Sequence, residues 1–94
     1  MDNIEPGIWA PEPDEYALVH EEIRGAPKLF ALCELDRDDE DWELTEGRVF
    51  AWGLAFGDRA EVVSTDGRGR GSFCSPTRAA ETFAHTAEVR LVYP

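Results

Sequence analysis

The sequence predicts an α+β fold: one small domain with a mostly antiparallel sheet of about five or six short strands, one C-terminal helix packed on it, and a final strand. Three observations predict it. Residues 48–56 alternate large and small apolar side chains, the period of a strand with two different faces. Gly57-Asp58 and Asp66-Gly67 are tight-turn signals that join successive strands, the second favouring the type I′ geometry. Ser75-Pro76 pairs an N-cap serine with a proline at the first helical position, a recognised helix start.

Residues 1–15 read as an extended arm, because Pro6, Pro11 and Pro13 oppose a regular helix. Ile8 and Trp9 are its large apolar residues and are expected to pin it to the body. Residues 16–94 are expected to form the domain. Tyr16–Ile23 reads as a first strand, with Ala17, Val19 and Ile23 on one face and Tyr16, Leu18, His20 and Glu22 on the other. A Gly25-Ala26-Pro27 turn leads to a second strand, Lys28–Leu35, and the two are expected to pair as a hairpin. Asp36–Glu46 is an acidic loop. Arg48–Phe56 is the clearest strand. Its bulky side, Phe50, Trp52, Leu54 and Phe56, is expected to face the core, while Ala51, Gly53 and Ala55 leave room for a close approach by the helix. Arg59–Thr65 and Arg68–Cys74 complete a three-stranded meander. Thr77–His85 is the helix, with His85 in its last turn, and Val89–Tyr93 is the final strand. A right-handed crossover follows if that strand runs parallel to the one before the helix.

The charge is unevenly spread. Residues 1–46 hold 15 acids and 3 bases, and residues 47–94 hold 5 acids and 6 bases, giving −11 in all. Duplex DNA or RNA as a direct ligand is disfavoured, because phosphate contacts need basic surface. The aromatic residues Phe50, Trp52 and Phe56 have no cationic neighbours on their face, so a stacking platform for nucleic acid is disfavoured too. A basic protein partner is allowed. No apolar run approaches the roughly 20 residues a bilayer requires, and the N-terminal residues carry no basic or apolar leader. The expectation is a cytoplasmic chain with no membrane contact. One Lys against eight Arg fits a GC-rich bacterial coding bias.

Catalytic, metal and cofactor signatures are missing from the pattern. Cys33 and Cys74 alternate with apolar residues and read as buried free thiols. Neither forms a Cys-x-x-Cys pair, and with His20 and His85 they match no zinc spacing. The acidic run from Asp36 fails the EF-hand pattern, having Asp41 where glycine is needed and Gly47 where glutamate is needed. No catalytic residue, metal or cofactor is expected.

The expected function is a non-enzymatic protein-binding or regulatory module, acting through the acidic loop and the arm. Its contact residues would be Trp9, Asp38, Asp39, Asp41 and Trp42, with aromatic anchors ringed by polar groups. An antitoxin-like or DNA-mimicking inhibitor is the sharper form of that reading. The alternative is an anion- or small-ligand-binding protein, using the Gly-rich turn Gly67–Arg78 and the helix start, with Arg68, Arg70, Ser75 and Arg78 as its residues. A third class is a small enzyme or enzyme subunit completed by oligomerisation. A homo-oligomer could form through an exposed sheet edge, at Tyr16–Ile23 or Val89–Tyr93.

Overall fold

A computed structural model describes residues 10–94. The elements run α1 (Pro13–Arg24), β1 (Lys28–Arg37), β2 (Leu44–Ala55), β3 (Ala60–Ser64), β4 (Arg70–Phe73), α2 (Pro76–Phe83) and β5 (Glu88–Val92). The five strands make one antiparallel sheet in the order β4-β3-β2-β1-β5. The fold is therefore α+β, as the sequence predicts. The meander β2-β3-β4 and the Ser75-started helix also stand where the sequence places them.

The first element differs. Residues 16–23 are helical, and the helix begins at Pro13, inside the segment read as an arm. Proline at the first helical position lacks only an N–H that the helix would leave unpaired anyway. Glu12 and Glu15 form a capping box, with the Glu12 N–H donating to Glu15 Oε1 at 2.8 Å. Asp14 and Glu15 in the first turn and Arg24 in the last complement the helix dipole. Tyr16, Val19, His20 and Ile23 recur at helical spacing, a period that competes with the strand alternation over so short a run. The Tyr16 and His20 rings accordingly meet edge-to-face at 5.4 Å. β1 consequently pairs with β2 and β5, and the hairpin expected from residues 16–35 does not form.

The second correction concerns which face of β2 is the core. Cys33 pairs with Val49, and Leu32 pairs with Ala51, so Phe50 is an extra residue in β2. This bulge shifts the alternation by one. Phe50 turns to the same side as Ala51, Gly53 and Ala55, where its ring lies 5.3 Å from that of Phe83 on α2. Trp52 and Leu54 turn to the opposite face and remain 39% and 41% exposed. The small side of β2 is the core side, against α2.

That core is thin. Phe30 and Leu32 are its fully buried large side chains, joined by Ala51, Ala60, Val62 and Ala79. Each of the two large side chains contributes about 1.5–3 kcal/mol by burial. Phe50, Phe73, Val89 and Leu91 close its margins. β4 and β5 both run antiparallel to neighbours of the same sense, so they point the same way at opposite edges of the sheet. The connection between them must cross a face. α2 makes that crossing, capped by Ser75, whose Oγ accepts from the Arg78 N–H at 3.1 Å. The helix ends at Phe83, with Ala84 as its C-cap, so His85 lies beyond it rather than in its last turn.

At the turn after β3, Gly67 alone takes a positive φ, 78°. A type I′ turn needs two such residues, so the turn has another form. Asp66 Oδ1 accepts from the Ser64 hydroxyl at 2.7 Å and the Arg68 N–H at 2.9 Å, which fixes it.

Candidate functional site

The segment read as an acidic loop is mostly strand. β1 runs to Arg37 and β2 starts at Leu44, so the two form a hairpin tongue. Beyond Leu35 they pair only with each other. The tip is ordered by its own acids. Asp38 Oδ1 accepts from the Glu40 N–H at 2.8 Å and the Asp41 N–H at 3.3 Å, and Asp41 Oδ1 accepts from the Glu43 N–H at 3.1 Å. The backbone closes through Asp38 N–H to Glu43 O at 2.8 Å and Trp42 N–H to Asp38 O at 3.0 Å. The two N–H bonds from Glu40 and Asp41 hold the Asp38 carboxyl below its ordinary range.

Trp42 sits at the end of this turn with φ 60°, the left-handed region that a bulky side chain rarely enters. That conformation costs about 1 kcal/mol, and Trp42 is 68% exposed. Arg37 braces it from the strand side. Its guanidinium donates to Glu88 through two nitrogens, at 2.8 and 3.1 Å, and to Trp42 O at 3.3 Å. It also lies 5.9 Å from the Trp42 ring centre. The hydrogen bond from Arg37 holds the Glu88 carboxyl below its usual range, and Glu88 raises Arg37 in turn. Further along, Arg48 bridges Glu34 at 2.9 Å and Asp36 at 3.1 Å. Asp38 and Asp41 are thus turn-forming residues. Asp39 makes no side-chain hydrogen bond among the described residues and carries charge alone.

Trp9 lies outside the described residues. The tongue brings Asp38, Asp39, Asp41 and Trp42 within one turn of chain. The anion-binding set is more dispersed. Arg70 pairs with Val63 on the face opposite α2, whereas Ser75 and Arg78 begin α2 on the core face. Arg68 stands in the turn fixed by Asp66, and Arg78 lies 3.5 Å from Glu81. Cys33 is half-buried and Cys74 is exposed, both as free thiols, with β2 and β3 between β1, which holds Cys33, and β4, which Cys74 follows. The exposure of Cys74 corrects the expectation of a core position; it follows the end of β4 and leads directly into the Ser75 cap. Tyr16, His20 and Glu22, expected on one strand face, are divided by the helix, which turns Glu22 away from the other two.

A second surface was not legible in the sequence. Among the described residues, no element covers the sheet face opposite α2. Leu29 is 49% exposed and Val92 is 44% exposed there, beside Trp52 and Leu54. Cross-strand pairing sets Leu29 against Leu54, and Trp52 against Val63. With Glu61 and Arg70 they line a shallow groove of about 430 Å³. The hydrogen bond from the Ser72 hydroxyl, with help from Arg59, lowers the Glu61 carboxyl. The apolar period was visible at 50–56, but the bulge that decides which way it faces carries no glycine or other signal.

Among the described residues, no group of three or more His, Cys, Asp or Glu side chains is placed to hold a metal ion, and no helix is long and apolar enough to cross a membrane. Comparison with protein-family models, curated proteins and solved structures gives no match.

Proposed function

We propose that this chain is a non-enzymatic protein-binding module acting in the cytoplasm, with the acidic tongue as its contact surface and a basic protein as its partner. The observation that supports the reading is Trp42: a large, exposed indole held in an unfavourable backbone conformation by a turn built of carboxylates. A pre-ordered aromatic side chain loses little conformational freedom on binding, which is the property of an interface anchor. The surrounding Asp38, Asp39, Glu40 and Asp41 would steer a cationic surface toward it. Arg37 and Glu88 make the anchor rigid from behind.

The test is affinity capture with the whole chain as bait and mass spectrometry as readout. Two variants accompany it: Trp42→Ala, and Asp39→Lys, which changes charge without touching a turn hydrogen bond. The expected result is one basic protein retained by the unaltered chain, weakened about tenfold or more by Trp42→Ala, and released as salt is raised. Capture that neither substitution alters would exclude the tongue as the contact surface.

A further inference from the structure

Two apolar surfaces are left uncovered by the described residues. One is the open face of the sheet. The other is α1, none of whose residues is buried although it carries a stripe of Tyr16, Val19 and Ile23, each between 42% and 50% exposed. The helix makes no substantial contact with the sheet, and the molecule measures 62 × 27 × 22 Å. We infer that two copies of the chain form a symmetric dimer in which α1 of each copy lies across the open sheet face of the other.

Charge complementarity favours a second copy as the occupant. Residues 12–24 carry five carboxylates against one guanidinium. On the open face, among the described residues, Arg59 pairs with Asp58 and Glu61, and Arg90 with Glu88, which leaves Arg70 as an uncompensated cation in a chain whose total is −11. Arg70, at the edge of the groove, forms no ion pair among the described residues and faces solvent. An acidic helix with one apolar stripe matches this face in both polarity and charge.

Area points the same way. The exposed side chains on the open face present a patch of a few hundred Å², a size that marks a contact. A two-fold axis applies the helix–sheet contact twice. Counting both partners of both contacts, the buried surface reaches roughly the ~1,200–2,000 Å² of a stable dimer. α1 itself is 12 residues, about 18 Å long, enough to cross roughly three to four strands at their ~4.8 Å spacing.

The experiment is sedimentation equilibrium of the full chain, with Val19→Asp on α1 and Leu54→Asp on the sheet. The unaltered chain is expected to be a dimer whose melting temperature rises with protein concentration. Each variant alone damages both contacts, and the dimer dissociation constant is expected to rise at least about tenfold. An equimolar mixture of the two variants leaves one contact undamaged and is expected to recover dimer. Circular dichroism checks that each variant is folded. Should Leu54→Asp fail that check, Arg70→Glu replaces it as a surface change, again expected to weaken association about tenfold. A monomer at every concentration, including one with α1 folded onto its own sheet, would overturn the inference. So would a dimer indifferent to the helix and sheet variants, the result expected of pairing through the β5 edge. The tongue variants Trp42→Ala and Asp39→Lys lie on another surface, so the fate of one proposal does not decide the other.

Discussion

Gly53 is the residue on which the core closes. It pairs with Phe30 across β1 and β2, and a Cβ built there would overlap the Phe30 ring. Phe30 is fully buried, so its ring has nowhere to retreat. Gly53→Ala is therefore expected to destabilise the chain by about 1–3 kcal/mol, measured by urea denaturation. A neutral result would mean that the ring moves freely and that the core is looser than its burial implies. The alternation Ala51, Gly53, Ala55 shows in the sequence that something approaches closely. It does not show that the group approaching Gly53 is a phenylalanine of the neighbouring strand, because that depends on the register of β1 against β2. Ser75 needed no such long-range information: its capping bond reaches three residues along the chain, and it was legible.

Elements were legible where local chemistry decides them and not where two periods compete. Residues 48–74 carry turn residues at both junctions, and the meander follows. Residues 13–24 carry no glycine or asparagine to separate a strand reading from a helical one, and the capping box at Glu12 and Glu15 is the local feature that favours the helix. The tongue reads as a loop in the sequence because acids outnumber apolar residues there. It is a hairpin in which Arg48 on β2 pairs with Glu34 and Asp36 on β1 across the strands, while Arg37 ties β1 to Glu88 on β5. Its stability depends on charge, and the sign of the pH dependence follows. Asp38 and Glu88 have carboxyl groups lowered in the folded chain, so their stabilisation is fully present above the unfolded value near 4 and is lost as pH falls through the folded values. The Trp42 indole resonance is expected to hold constant from about pH 7 to 5 and to move below about pH 4. Movement centred well above pH 5 would show that other groups order the tip.

At the scale of the molecule, the radius of gyration is 18.0 Å, against about 12 Å for a compact chain of this length. Among the described residues, the excess comes with a helix that makes no substantial contact with the sheet and a sheet covered on one side. One helix cannot roof both faces, and α2 is committed to the core face by the need to travel from β4 at one edge to β5 at the other. That crossing also sets an order of assembly. β1 to β4 are joined by short turns and can zip together from neighbouring contacts. β5 joins β1 only by closing a long stretch of chain, as the bond between Arg37 and Glu88, 51 positions apart, records. Loop closure of that span has an entropy cost that short turns escape, and non-local pairing is slow. The core has no roof until α2 arrives, and α2 has no anchor at its far end until β5 is seated. In pulse-labelled hydrogen exchange during refolding, amides of β2 and β3 are expected to gain protection before those of β5; simultaneous protection would mean that the sheet forms as one unit. Until β5 docks, the refolding chain is a bare four-stranded ribbon, apolar on both sides, and that interval is when it is most exposed to aggregation.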